Sequence, residues 1–488
     1  MDFLDPQKKR DHRNKLFVGY GLMAIALAIA TTILVYAANG YGFNRQTGEL
    51  IQNGLVFLNA QPSSANIKIN GTDRGATGAR LVLPEAKYSV ELSRSGYQSW
   101  KHDFTLEGNQ VLRLAYPRLF PQKLVQSNIR AYEAAPSFVS ASPDQQWLVS
   151  HQPAAFNQFE IINLEADPIA PLTINLPETV LVSKLDNQSL AVVEWSKDNR
   201  HLLLKHTYTD GVDFIVMDRQ DPALSVNLTQ RYGRQFSDVK LRDMRFDRLY
   251  VYQQDGGLLQ AAELGVNTLL TDVANNVLAF YPYQGDIVMY VTNETAPPGQ
   301  VVVRIKSDLA EFKLRNLPGG TVYLLQIAEF DRQIYLAVGE QASGNTYIYK
   351  NPLDRLKNNQ SILPQPFQLL KVSGAETVSF SNNARFLSVQ GGSRFAIYDF
   401  ETEQQIRYDS LLLVQPGQKA TWMDGHRLLV NSQNKLFVFD FDGTNKRDLG
   451  PAIESHNPAF NQDYTGLYRL NSTVDGPTVL TRTELTTP

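Results

Sequence analysis

Ser142-Pro-Asp144-Gln-Gln-Trp-Leu148 is the stretch on which the fold turns, because the chain repeats its logic. In it a turn-forming Asp stands four residues before an apolar strand residue. The same arrangement returns in Ser196-Lys-Asp198-Asn-Arg-His-Leu202, Glu329-Phe-Asp331-Arg-Gln-Ile-Tyr335 and Ser381-Asn-Asn383-Ala-Arg-Phe-Leu387. It returns again in Trp422-Met-Asp424-Gly-His-Arg-Leu428 and Asn461-Gln-Asp463-Tyr-Thr-Gly-Leu467. Two degenerate copies, Phe246-Asp247-Arg-Leu249 and Tyr283-Gln-Gly285-Asp286-Ile287, fill the long gap between the second and third. From Asp144 to Asp463 the mean spacing is about 46 residues, close to the ~40–50 of propeller blades. Asp and Asn suit a tight turn between two strands because the side chain bonds the backbone just ahead of it. The apolar residue that follows then packs against the next sheet.

A second strand follows most copies: Phe159–Ile162, Phe214–Met217, Tyr347–Tyr349, Phe395–Tyr398 and Leu436–Phe439. The last of these runs on into Asp440-Phe-Asp442-Gly443. The Ser-Pro-Asp turn and the strand ending in Asp-x-Asp-Gly resemble TolB-type and WD-repeat-like β-propellers. Eight copies imply eight blades over residues 118–488; seven is the alternative, if the two degenerate copies share a blade. The last copy leaves room for three strands, so 123–132 (KLVQSNIRAY) is expected to supply the fourth and close the ring.

Upstream, residues 54–117 read as a compact β unit. Its turns are marked by Gln61-Pro62-Ser-Ser-Ala65, by the hairpin signal Asn70-Gly71 and by Ser95-Gly96, and Tyr88, Val90 and Leu92 alternate on one strand face. The ordered set Gly54, Pro62, Ala65, Ile67, Ile69, Asn70, Gly71, Gly75, Thr77, Leu81, Pro84, Tyr88, Val90, Gly96 and Tyr97 resembles the PEGA domain. That resemblance implies a small β-sandwich of bacterial surface and envelope proteins, without catalysis. One position departs from the family pattern: Ala86 stands where a Gly two residues before the Tyr is usual. A left-handed turn there would cost Ala about 1 kcal/mol.

Residues 16–38 (LFVGYGLMAIALAIATTILVYAA) hold no charge, enough for a helix to cross a bilayer core about 30 Å thick. Lys8, Lys9, Arg10, Arg13 and Lys15 crowd the preceding tail, residues 1–15, and the next cation is Arg45. By the positive-inside rule the N-terminus stays in the cytoplasm and the rest lies outside. A cleaved signal peptide is the alternative; this run exceeds the usual ~7–15-residue apolar core, and Tyr36 spoils the small-x-small register. Gly19 and Gly21 are too close together for a GxxxG pairing face. Residues 39–53 read as a polar stalk.

Composition narrows the functions. A net charge of −3 argues against a nucleic-acid partner, and the absence of cysteine excludes disulfides, Fe–S clusters and thiolate zinc sites. Asp440-Phe-Asp442-Gly443 does not follow calcium-loop spacing, since Gly is fourth and Pro451 stands twelfth. His201 and His206 lack an evident third zinc ligand. No Gly-x-Ser-x-Gly elbow and no phosphate loop occur. Trp147, Trp195 and Trp422 lie within the repeat and are expected in the core; Trp100 belongs to the upstream unit. The expectation is an all-β, single-pass, membrane-anchored protein with its binding or scaffolding propeller outside the cytoplasmic membrane. Its partner would be a cell-wall polymer or an envelope protein, met on a propeller face around the central channel. No catalytic residue, metal or cofactor is assigned. The alternatives are a propeller enzyme (hydrolase or lyase) working in the channel and a purely structural wall-binding protein.

Overall fold

The structure is a computed structural model that describes residues 6–38, 40–43, 50–265, 270–307, 310–354, 363–412, 414–415, 417–472 and 477–487. Parts of the expected tail (1–5) and stalk (39, 44–49) lie outside the described residues. The chain divides into two compact units, Met1–Lys123 and Leu124–Pro488.

Unit 1 begins with the helix Pro6–Ala38, into which Lys8, Lys9, Arg10, Arg13 and Lys15 all fall. From Arg10 to Ala38 it is long and apolar enough to span a bilayer, and none of the described residues buries it. Two four-stranded sheets follow. In one, Leu50–Leu58 pairs antiparallel with Ala79–Pro84 and parallel with Val111–Leu114. In the other, Asn66–Ile69 lies between Thr72–Ala76 and Ala86–Ser93, and Trp100–Leu106 completes the sheet. Alternation sends Val56, Leu58, Ile67, Ile69, Val90 and Leu92 into one shared core with Trp100, Leu106 and Leu119.

Three sequence expectations shift here. The stalk is partly sheet: Tyr41–Phe43 pairs with Leu50–Gln52, a three-residue pairing too short to leave a periodic signal. Residues 118–123 lie with unit 1, because Arg118 donates to Gln61 Oε1 (2.8 Å), Leu119 is buried in the sandwich, and Gln122 N–H donates to the Gly96 carbonyl (2.9 Å). Ala86 starts a strand opposite Leu106 and is not left-handed, so the substitution carries no turn penalty.

Among the described residues, unit 2 holds eight four-stranded antiparallel sheets. Sheets 1 to 7 span 138–175, 189–227, 238–274, 277–318, 323–371, 377–409 and 421–451, each with its strands in chain order. Sheet 8 takes three strands from 459–484, and its fourth is Val125–Tyr132, antiparallel to Thr478–Glu484 over seven residue pairs. The fold is a β-propeller whose first and last sheets share a core of Tyr132, Leu148, Ile162, Tyr468 and Leu480. The two degenerate repeats do not share a sheet: one joins the first two strands of sheet 3, the other those of sheet 4.

Candidate functional site

The PEGA-like residues form the framework of unit 1. Asn70 and Gly71 carry the left-handed hairpin turn (φ 48° and 79°), and Asn70 Oδ1 accepts from Ser89 N–H at 2.9 Å. Gly75 and Gly96 also sit at positive φ, Pro62 follows a cis peptide, and Ala65 is fully buried. Tyr88 Oη donates to the Pro84 carbonyl at 2.8 Å, and Tyr97 is core. A Cβ on Gly54 would lie 2.6 Å from Leu106 Cγ and 2.9 Å from the Glu107 carbonyl oxygen. Gly54→Ala is therefore expected to lower unit 1 stability by about 1–3 kcal/mol through overpacking, read as a lower melting temperature.

The repeat turns work as read at five of six positions. Asp144, Asp198, Asn383, Asp424 and Asp463 each accept, through Oδ1, the N–H two residues ahead. Asp331 differs: it and Arg332 form a two-residue turn with φ 47° and 58°. The apolar half of the motif is buried in all six copies. Successive turns are also tied to one another. Gln145 Nε2 donates to Tyr464 Oη (3.0 Å), Asp144 N–H to Asn199 Oδ1 (3.1 Å) and Lys197 Nζ to Asp243 (2.9 Å).

A second recurrence escaped the sequence reading. Arg200 grips Asp218 through two nitrogens, and Arg385 grips Asp399 at 2.9 and 2.7 Å. In both, the Arg stands two residues past the turn residue and the Asp ends the third strand of the same sheet. In sheet 7, Arg427 lies 3.6 Å from Asp440. The tryptophans stitch sheets together: Trp195 Nε1 donates to Ser140 Oγ (2.9 Å) and Trp422 Nε1 to Ser379 Oγ (3.1 Å), each on the preceding sheet. Trp147 lies under Arg219 (3.9 Å), and Trp100 is buried against Tyr116.

His201 and His206 face opposite sides of their strand, as an odd separation requires. His201 Nδ1 meets Asp198 Oδ2 at 2.6 Å, and its ring stacks on Phe246. Among the described residues, no group of three or more His, Asp or Glu side chains is placed to hold a metal ion. The Asp440–Gly443 carboxylates serve the turn: Asp442 Oδ1 accepts from Thr444 N–H (3.0 Å), and Asp440 Oδ2 from Asn445 Nδ2 (2.9 Å).

On the inner strands, Glu194 of sheet 2 accepts from Leu241 N–H of sheet 3 at 2.5 Å. Burial raises the carboxyls of Glu194 and Asp238 above their usual range. Burial, aided by the charge of Glu194, pushes Tyr281 up to about 12.

His151 is fully buried between Phe138 and Phe156, with Nε2 2.7 Å from the Phe156 carbonyl oxygen. Burial, with a smaller contribution from nearby His206, brings it down to about 4. The unfolded chain protonates this imidazole near 6.5 while the folded chain keeps it neutral. Stability is thus full above pH 6.5 and falls as pH drops toward 4, by about 3 kcal/mol for this residue. Melting temperatures between pH 7 and 4 should show the fall, and His151→Asn should reduce it by this residue's share, because His426, also brought down to about 4 by burial, loses stability over the same range.

One cleft departs from the regularity of the propeller. The outer strand of sheet 2, Val226–Asn227, has two residues and, among the described residues, pairs only with Ile215 and Val216. The chain then turns into the short helix Leu228–Tyr232, stopped by left-handed Gly233 (φ 67°). Beside it lies an open depression of about 710 Å³, whose polar lining is Thr179, Ser225, Asn227, Gln230, Arg231 and Tyr232. Asn227 is locked: Nδ2 donates to the Val180 carbonyl (3.0 Å) and to Asp213 (3.2 Å), and Oδ1 accepts from Gln230 N–H. The cleft sits at the outer edge of sheet 2, whereas the sequence reading looked to the channel mouth.

With this geometry in place, comparison with known proteins is informative about unit 1. Residues 53–118 match the PEGA domain family. The PEGA domain thus reaches Arg118, one residue past the end read from the sequence. No curated protein matches the chain. Among solved structures, a functionally unknown protein from Desulfotomaculum acetoxidans is similar at 11% identity, covering 64% of this chain and 97% of that one, with a TM-score of 0.41. Kluyveromyces lactis Hsv2p is similar at 12% identity, over 72% and 98%, with a TM-score of 0.38. An oligogalacturonate lyase in complex with manganese is similar at 11% identity, over 75% and 98%, with a TM-score of 0.38. Likeness at this level concerns the fold alone.

Proposed function

We infer that this chain is a single-pass, membrane-anchored binding and scaffolding protein of a bacterial cell envelope. Its PEGA domain and propeller lie outside the cytoplasmic membrane, where the propeller meets a glycan or protein. The observation that carries the reading is the helix Pro6–Ala38, exposed along its whole apolar stretch and followed by two water-soluble β units. Its basic residues before Leu16 favour a cytoplasmic N-terminus, and the PEGA domain favours an envelope setting. The chain is read as a binder because the motif residues of both units are committed to turns, cores and cross-strand ion pairs.

The test uses the full chain with tags at both ends. Carbonate-washed membranes should retain it at full length, and protease added outside spheroplasts should remove the C-terminal tag while sparing the N-terminal one. Release of a shortened product lacking 1–38, or protection of the C-terminal tag, would overturn the reading.

A further inference from the structure

We propose that one outer face of the PEGA domain lies on the surface of a bilayer rich in anionic phospholipid. The face belongs to the sheet of Leu50–Leu58, Ala79–Pro84 and Val111–Leu114. Val82, Leu55 and Val111 enter the headgroup layer, and Arg80 and Arg113 meet lipid phosphate. The inference goes beyond the proposed function, which gives the PEGA domain no partner, and it rests on the anchored reading of the helix.

Strand register builds this face. Leu55 is paired with Val82 on one side and Val111 on the other, and Phe57 with Arg80 and Arg113. Paired residues share a side of the sheet, so an aliphatic row lies beside an aromatic one flanked by arginines. Val56, Leu83 and Leu114 alternate with them and fill the core on the opposite side. Val82 is 62% exposed and Val111 53%. The Arg113 guanidinium lies over the Phe57 ring at 5.6 Å, and Arg80 is exposed.

A sheet with one wet face is ordinarily polar on that face. The second sheet of the same domain obeys the rule. Its outer side sets Glu91 between Lys68 and Lys101 and Ser89 against Asp103, with Lys101 and Glu91 in an ion pair at 3.7 Å. The first sheet breaks the rule: its paired outward positions, 55 and 57, 80 and 82, and 111 and 113, carry apolar side chains and arginines but no carboxylate. Apolar area combined with cations of one sign is what holds a surface to an anionic bilayer.

The chain also brings this sheet, and not the other, to the end of the anchor. The helix ends at Ala38, and Tyr41–Phe43 already pairs with Leu50–Gln52. Gly40 N–H donates to the Ala37 carbonyl (3.1 Å), the Gly40 carbonyl accepts from Asn53 N–H (2.8 Å), and the rings of Tyr36 and Tyr41 meet edge to face at 5.3 Å. Leu55 stands three residues along the strand from Gln52, about 10 Å. A second copy of the chain is the competing occupant. A two-fold dimer through this face would bring the arginines of both copies together with no carboxylate on the face to pair them. An anionic wall polymer would engage the arginines and leave the aliphatic row wet. The bilayer surface satisfies both rows.

The experiment reconstitutes the full chain into vesicles of phosphatidylcholine mixed with phosphatidylglycerol and, separately, of phosphatidylcholine alone. The chain has no cysteine, so Val82→Cys on this face and Ser89→Cys on the other sheet each accept a single environment-sensitive fluorophore. Lipids with a nitroxide at the headgroup serve as quencher. In the anionic vesicles, quenching at 82 should exceed that at 89 by about threefold. Arg80→Gln with Arg113→Gln should cut the excess by about half without lowering the melting temperature, and so should omission of phosphatidylglycerol. Equal quenching at the two positions, or an excess indifferent both to the arginines and to lipid charge, would overturn the proposal. So would a label at 82 that is shielded from water yet unquenched, the mark of a protein partner. Carbonate extraction and tag protection read insertion alone, so equal quenching in a correctly inserted protein would fell this inference and leave the proposed function standing.

Discussion

A chain lacking residues 124–132 is expected to lose the cooperative melting of unit 2 and to elute as soluble aggregates. The deleted strand supplies seven residue pairs to Thr478–Glu484, the buried Tyr132, and the Arg130 contact to Glu160 (2.9 Å), a carboxylate that is otherwise enclosed. Without it, sheet 8 presents an open edge, and the shared core of the first and last sheets loses one wall. The cut starts at 124 because Leu119 and Phe120 are buried in unit 1; a longer deletion would damage both units. The opposite manipulation is equally clean. The chain has no cysteine, so Ser127→Cys with Arg482→Cys introduces one thiol pair across paired positions. If it oxidises without strain, it closes a loop of about 350 residues and should add up to about 5 kcal/mol. A monodisperse, sharply melting deletion product would refute the closure argument.

Asp218→Ala is expected to cost about 3–5 kcal/mol, visible as a lower urea midpoint for unit 2. The Asp218 side chain is only 1% exposed, and besides Arg200 it accepts the N–H groups of Gln220 (2.9 Å) and Asp221 (3.1 Å). Removing it strands a guanidinium and two backbone donors at once. These hydrogen bonds and the Arg200 charge outweigh burial and hold the carboxyl below the usual range. The stability it contributes is present above about pH 4 and lost as pH falls below that. Arg200→Ala should also lower the midpoint, because it leaves the enclosed Asp218 carboxylate with only the Gln220 and Asp221 N–H groups and His201 beside it. A midpoint unchanged by both substitutions would contradict the assignment.

The contrast between these residues shows what a sequence makes legible. The turn half of the repeat is local: an Asp bonds an N–H two residues ahead, so Asp144 and Asp424 announce themselves within seven letters. The Arg–Asp grip spans 18 residues in sheet 2 and 14 in sheet 6, where it joins Arg385 and Asp399. It becomes visible only once strand register sets His201 opposite Asp218 and Phe386 opposite Asp399. The signal was present in principle, as an Arg two past the turn residue and an Asp closing the third strand. Asp331 shows the converse: its letters fit the motif, but the hairpin there is two residues long and leaves no room for the same side-chain turn. The PEGA residues were legible because most of them mark turns or core positions, as Asn70-Gly71 does. The cleft was not, because it arises where a strand stops after two residues, and an omission has no periodicity.

The closing strand has a consequence for how the protein is made. Val125–Tyr132 leaves the ribosome about 350 residues before its partner Thr478–Glu484. At about 5–20 residues per second, that is a wait on the order of tens of seconds. Sheets 1 to 7 each draw their strands from one continuous segment and can form in order as they emerge. Sheet 8 cannot, so the ring stays open throughout synthesis with an unpaired strand at its start. Delivery of this polypeptide therefore includes an interval in which a holding factor that covers residues 125–132 would protect the yield.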